Sequence, residues 1–276
     1  MIDEELRKVQ LVQLEIAKEI KRICDENEIK YFIDGGTLLG AVRHQGFIPW
    51  DDDLDIGMLR ADYEKFLKIA PQKLDEKYFL QTWHQKDGYG LAFAKVQKRN
   101  TVFLEKLAAS VKTQHGIFVD IFPYDNYPDN KEDQKQQGMR ITITKKLMTA
   151  KCKYRPWDAE NHFDLKKYIG YIPLRILALF FKKEKMVQFY EKNATAFNKI
   201  ETDMLFAQAI EPYGEFAIPK ECVDQLVELK FEDTTFKAMS MYDKYLTLFY
   251  GDYMTPPPEG KRENRHGIVK IDFGDV

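Results

Sequence analysis

Cysteine is scarce in this chain. Three residues, Cys24, Cys152 and Cys222, stand far apart in 276, which gives neither a disulfide framework nor the paired spacing of metal ligands and suits a reducing compartment. No run of about 18 apolar residues occurs, so no segment is expected to span a membrane. The opening residues, MIDEELRKVQ, hold acids where a secretory signal needs an apolar core. A cytoplasmic location is the expectation, with peripheral contact at the inner face of the plasma membrane as its variant. Charge of one sign is also missing. Lys plus Arg number 42 and Asp plus Glu 44, a net charge of -2, so a nucleic-acid partner is not expected. There are no internal repeats, no low-complexity segments and no nucleophile motif of a protease or related hydrolase. What remains is a chain 44% hydrophobic and 13% aromatic, enough for one large domain or a domain with a helical elaboration.

Acidity is concentrated in one stretch, DGGTLLGAVRHQGFIPWDDDLDIGM, residues 34–58. A short apolar strand, Tyr31 to Ile33, leads into Gly35, Gly36 and Thr37. Four carboxylates then fall within five positions, Asp51, Asp52, Asp53 and Asp55. If Leu54 to Met58 is a strand, Leu54 and Ile56 point into the core while Asp53 and Asp55 project together from the other face. Two anions so placed repel unless a cation sits between them, and a hard, oxygen-ligated ion such as Mg²⁺ suits the pair and would bring in phosphate oxygens of a substrate. Acidic clusters are commonly solvated turns, and Asp51-Asp52 alone would be read that way. The preceding turn changes the balance, because Gly35 and Gly36 let backbone N–H groups approach a phosphate and Thr37 adds a hydroxyl. That turn is expected to open a short helix whose N-terminus faces phosphate. Alternation puts Asp51 on the side of Asp53, as a base or an outer ligand, and leaves Asp52 as a turn former.

Before this stretch, Val9, Val12, Ile16, Ile20 and Ile23 recur at helical spacing over residues 4–26. After it, Ala61 to Ala70 is a helix with Tyr63, Phe66, Leu67 and Ala70 inward, and strands are expected at Tyr78 to Thr82, Leu91 to Lys98 and Gly116 to Pro123. Lys95 lies on a mixed face that suggests the rim of a site. Asp120 stands inside an apolar run, where an unpaired carboxylate is costly, so it is expected to face the metal from a strand beside Asp53 and Asp55, as third ligand or base. Asp133 to Tyr154 and Met186 to Ile200 read as helices. Between them, Tyr168 to Lys185 is the most apolar stretch, bracketed by lysines. A buried core helix is the first reading of it, and an interfacial helix docking on anionic lipid the second. Short elements follow, with a strand pair or strand and turn at Leu229 to Phe236, a helix at Met241 to Tyr250 closed by Gly251, and a basic tail.

The run GGTLLGAVRHQGFIPWDDDLDIGM resembles the LicD family of phosphocholine transferases, to which the fukutin-related sugar-phosphate transferases also belong, within the nucleotidyltransferase superfamily pattern. FVDIFP, residues 118–123, resembles the family's later acidic strand, and YGDYMTPPP, residues 250–258, its C-terminal signature. The likeness is tight over 4–70, recognisable over 91–123 and 241–258, and loose over 124–230, where acceptor choice is expected to lie. It implies an α/β (α+β) fold, a nucleotidyltransferase-like core with a small mixed β-sheet flanked by helices plus a helical elaboration. The expected division is a catalytic core at 1–130, a helical elaboration at 131–200 that meets acceptor or membrane surface, and a C-terminal segment, 201–276, packing back on the core. The implied reaction moves phosphocholine, or a related phospho-alcohol, from a CDP-activated donor such as CDP-choline to a hydroxyl of a lipid-linked glycan precursor of teichoic acid or lipopolysaccharide type. Asp53, Asp55 and Asp120 would hold one or two Mg²⁺, with Mn²⁺ as a substitute. Gly35, Gly36 and Thr37 would bind phosphate; Arg43, His44 and Lys95 are candidates for further phosphate contacts, each weighed against an ordinary surface salt bridge, and Arg262, Arg265 or His266 would join them if the tail folds back over the site, against the plain alternative of a loose tail. A choline headgroup would seek an aromatic face, with Trp50, Trp83, Tyr89 and Trp157 as candidates.

Two other readings use the same residues. A nucleotidyltransferase placing a nucleoside monophosphate on a small molecule such as an antibiotic shares the turn and the carboxylates. A non-catalytic nucleotide-sensing scaffold would not need all three acids.

Overall fold

The computed structural model describes residues 4–157, 163–210, 212–262 and 267–274. It opens with helix α1, Glu4–Glu26, whose apolar stripe of Val9, Val12, Ile16, Ile20 and Ile23 is buried. Glu28, at φ 53°, turns the chain into strand β1, Phe32–Ile33. Helix α2, Gly35–His44, starts at the Gly-Gly-Thr turn and stops at Gln45 in the left-handed region. Strand β2, Asp55–Leu59, runs directly into helix α3, Arg60–Lys73, which buries Tyr63, Phe66 and Ala70 and leaves Leu67 half-buried. Strands β3, Tyr78–Gln81, β4, Ala94–Lys98, and β5, Val102–Glu105, follow. Then comes the long strand β6, Phe118–Tyr127.

β6 is the central strand. It pairs in parallel with β2 on one side and antiparallel with β4 on the other, giving the order β1-β2-β6-β4-β3. Alternation gives this sheet two unlike faces. One carries Ile56, Val96, Val119 and Ile121, all fully buried. α1 and α3 cover it, tied by Lys98 to Glu15 and by Arg60 to Asp125. The other carries Asp55, Lys95 and Asp120. The fold is thus α/β, a mixed sheet flanked by helices.

Three helices leave and return: α4, Lys131–Lys151, α5, Leu165–Leu179, and α6, Lys183–Ala194. α4 packs against both others over a separate core that includes Tyr89, Ile141, Met148, Tyr154 and Tyr190. α6 ends at Ala194, short of the expected Ile200, and residues 195–199 form turns. Strand β7, Met204–Ala207, then rejoins β6 and takes β8, Ile218–Pro219, as its neighbour. A hairpin, β9, Leu226–Phe231, and β10, Thr234–Met239, and helix α7, Tyr242–Tyr250, complete the main body. Strand β11, Ile268–Asp272, pairs with β5, 163 or more residues away in sequence. Neither partner stands out in the sequence pattern.

α5 is not the buried core helix that composition suggests. Only Ala178 of its 15 residues is buried, because one narrow face meets α4 while the apolar remainder looks outward. Cys24, Cys152 and Cys222 are buried free thiols. No described helix is long and apolar enough to cross a membrane.

Candidate active site

Sheet register assembles the centre. Asp55 of β2 stands opposite Asp120 of β6, and Asp120 stands opposite Lys95 of β4. Three charged side chains thus form a row across adjacent strands. Lys95 Nζ lies 3.1 Å from Asp120 Oδ1 and 4.0 Å from Glu105 Oε2. It also sits 3.1 Å from the centre of the Phe118 ring, so a cation is held in place by acid on one side and a π face on the other.

The acids arrive by separate routes. The strand begins at Asp55, one residue later than expected, so Asp51 to Asp53 form a loop to which strand alternation does not apply. Carboxylate oxygens of Asp51, Asp52 and Asp53 approach within 4.8 Å of one another. Asp52, expected to be a turn former, is buried within that group. α1 holds this loop from behind through two glutamines on its apolar face. Gln10 Nε2 donates to the carbonyl of Asp51 at 2.8 Å, and Gln13 Nε2 to that of Asp52 at 2.7 Å. A polar pair three apart on an otherwise apolar stripe is a signal the sequence offers and the periodicity argument passes over.

The glycine turn lies against the acids. A Cβ on Gly36 would come 2.7 Å from Asp51 Oδ2, and one on Gly35, at φ +50°, 3.6 Å from Asp55 Oδ2. Thr37 is buried, and its hydroxyl oxygen accepts from the Asp55 N–H at 2.9 Å, fastening α2 to β2. Asp34 caps α2. Its Oδ1 accepts from Gly35 N–H and from Tyr245 Oη at 2.7 Å, and its Oδ2 from Tyr124 Oη at 2.5 Å. Gly35 N–H is therefore committed to the cap, which leaves the next N–H groups of the turn as the donors an incoming anion would meet.

Electrostatics reflects this crowding. Burial, then the charges of Asp53, Asp120, Asp34 and Asp51, holds the Asp55 carboxyl well above the usual carboxylate range. Burial pushes Asp120 up to about 7 against the pull of Lys95, with Glu105 and Asp53 adding to the rise. Asp34 is raised by burial, opposed by its two phenols. Tyr250, a residue the sequence pattern does not single out, is 44% exposed overall, and its phenol is raised by local desolvation and then by the field of Asp34, Asp51, Asp55 and Asp53. A group of carboxylates that cannot all ionise unaided is a chemical fit for a hard divalent cation.

The remaining candidates have partners of their own. Arg43 donates to the carbonyl of Tyr253 at 2.9 Å, joining α2 to the segment after α7, and burial and Arg262 lower its affinity for a proton. His44 sits edge-on to Trp50, its pKa lowered by burial and by Arg43. The guanidinium of Arg262 lies 5.3 Å from the Trp50 ring centre, so this half-buried indole already has a cation beside it. Trp83, Tyr89 and Trp157 are buried. Arg265 and His266 lie outside the described residues.

A mixed sheet carrying an acidic cluster against a Gly-Gly-Thr helix start defines the class, and residues 28–158 match the family model described as LicD/FKTN/FKRP, nucleotidyltransferase domain. Over 271 residues, 95% of this chain and 96% of the relative, the sequence is 32% identical to the lipopolysaccharide cholinephosphotransferase LicD of Haemophilus influenzae. A shorter segment of 48 residues, 17% of this chain and 10% of the relative, is 40% identical to the human ribitol 5-phosphate transferase FKRP. The chain is a transferase and belongs to the LicD family.

Proposed function

We propose that the protein moves phosphocholine, or a closely related phospho-alcohol, from a CDP-activated donor to a hydroxyl of a cell-surface glycan precursor of lipopolysaccharide or teichoic acid type. The observation that carries this reading is the end-to-end similarity to a lipopolysaccharide cholinephosphotransferase. The acidic row centred on Asp55 and Asp120 supplies its chemistry. Asp53 and Asp55, with Asp120 or the Asp51 carboxylate, would hold Mg²⁺. When bound, that ion would draw charge from the departing CMP oxygens.

The chain's own groups do the rest. The first turn of α2 would receive donor phosphate on its N–H groups, aided by the helix dipole. The acceptor oxygen bonds to the phosphorus of the transferred group while the bond from that phosphorus to the oxygen of CMP breaks, and the acceptor proton passes to a carboxylate. Asp120, a buried carboxylate paired with Lys95, would take that proton where Asp51, Asp53 and Asp55 hold the ion. Lys95 keeps Asp120 oriented and offsets its charge. Transfer of this kind depends chiefly on positioning and charge stabilisation.

The test is an assay with Mg²⁺, a crude lipid-linked glycan extract, and separate donors: CDP-choline, CDP-ethanolamine, CDP-ribitol, CDP-glycerol and nucleoside triphosphates. CMP release from one CDP-alcohol, dependent on both metal and acceptor, is the expected result. Asp55→Asn and Asp53→Asn should each lower it by at least on the order of 100-fold, since each removes a charge from the centre. Nucleotide transfer from a triphosphate would replace this reading with the small-molecule nucleotidyltransferase one.

A further inference from the structure

We propose that the outer face of α5 docks the protein on an anionic lipid surface. Leu165, Ile169, Ile172, Ile176 and Leu179 follow one another at steps of four, three, four and three, so they form one stripe along the helix. All five are exposed, from 43% at Ile172 to 76% at Leu179, and Phe180 beyond the helix end is 80% exposed. The inward positions Tyr171, Leu174 and Ala178 meet the second core. This helix is thus anchored by a narrow face and presents its wider apolar face outward. A continuous stripe of that length is more than the scattered apolar exposure of an ordinary surface.

Charge identifies the occupant. Residues 163–185 hold six basic side chains, Lys166, Lys167, Arg175, Lys182, Lys183 and Lys185, against two acids, in a chain whose net charge is -2. Lys166 and Lys167 stand at one end of the stripe and Lys182 and Lys185 at the other, so their ammonium groups would meet lipid phosphates while the stripe enters the acyl boundary; Lys183 is held instead by the carbonyls of Gln85 and Asp87. Pairing with a second copy across a two-fold axis would instead bring lysine-bearing ends together in either helix orientation. Phe163, Phe180 and Phe181, all exposed, supply aromatic anchors at the same two ends. Position agrees with this use. A groove of about 220 Å³ on the inner side of α5 is lined by Tyr171, Lys146 and Phe93 among others. The Phe93 ring packs 4.6 Å from that of Phe122 and lies 5.6 Å from Lys95 Nζ, beside the acidic row.

Docking stands apart from the reaction proposed above, and its test reads vesicle binding, not turnover. The full chain is sedimented with vesicles of phosphatidylcholine alone and with vesicles containing about one-third phosphatidylglycerol. Binding to the second, weakened by salt, is expected. The variant Ile169→Gln/Ile176→Gln/Phe180→Ser changes only exposed positions. It should keep its far-UV circular dichroism and lose vesicle binding by about tenfold or more. Lys166→Gln/Lys182→Gln/Lys185→Gln should lose the preference for anionic vesicles. No binding to either vesicle, equal binding by the apolar-stripe variant, or a stable wild-type dimer that this variant dissolves without any vesicle binding would overturn the proposal.

Discussion

A single methyl group probes the candidate site most sharply. Gly36→Ala places a Cβ 2.7 Å from Asp51 Oδ2, so the carboxylate must move while the helix, which tolerates alanine well, stays formed. The expected outcome is a fall of roughly 100-fold in kcat/KM for CMP release, the scale of a misplacement near 1 Å, with little change in the thermal midpoint. Tyr245→Phe tests the support behind the turn. It withdraws a donor from Asp34 Oδ1 and leaves a buried acceptor undersatisfied, which should cost about 1–3 kcal/mol in urea unfolding. Asp55 and Asp120 are visible in the sequence as charges inside apolar strands, and the register sets them opposite one another, whereas Asp53 lies in the loop before β2, where alternation says nothing. Asp34 is not singled out by the sequence pattern and emerges only with the structure, as the cap of α2. Its phenol partners are 90 and 211 positions away, and no local pattern points across such distances.

Elements follow the same division between local and distant information. α1, α2, α3 and the strand pairing of 229–236 emerge from periodicity, turns and caps, all of which act over a few residues. The β5–β11 ladder does not, because each strand is short and owes its existence to the other. The exposure of α5 is hidden for a different reason: composition gives apolarity, while which side is covered depends on α4. Pairing of α3 with β6 is likewise tertiary. Arg60 donates to Asp125 through Nε at 2.8 Å and a terminal nitrogen at 2.5 Å, and Asn198 donates to Asp125 Oδ1 at 2.7 Å. The Asp125 side chain is 0% exposed and that of Arg60 14%. Asp125→Ala should therefore strand a largely buried guanidinium and cost about 3–5 kcal/mol, as judged by the urea midpoint. Because Tyr124 beside it holds Asp34, the same variant should also lower turnover more than its lost stability alone explains.

At the scale of the whole molecule, the acidic centre couples stability to protons and, on the proposed function, should couple it to Mg²⁺. Asp55 and Asp120 bind protons more tightly in the folded protein than carboxylates ordinarily do, Asp120 up to about 7. A raised group of this kind contributes stability that is complete below the unfolded carboxylate range and is lost as pH rises through the folded value. In chelator, the thermal midpoint should consequently fall between about pH 5 and about pH 8. The groups whose values are lowered by partners, such as Glu19 and Glu232, act in the opposite sense, but only below that window, where they begin to protonate. His44, lowered by burial and by Arg43, opposes the trend inside the window, so the wild type is compared with Asp55→Asn, which keeps the histidine. That variant should be more stable than wild type at the alkaline end in chelator, because one source of repulsion is gone, and its pH slope should be shallower. Mg²⁺ should reverse the wild-type loss. Bound where protons had been, it raises the midpoint strongly near pH 8 and weakly near pH 5, roughly as mass action on the folded state requires. Asp55→Asn should lose most of that shift. A calorimetric series of both proteins across pH, with and without Mg²⁺, checks the argument. An equal Mg²⁺ shift in the two proteins would mean that the ion binds away from Asp55.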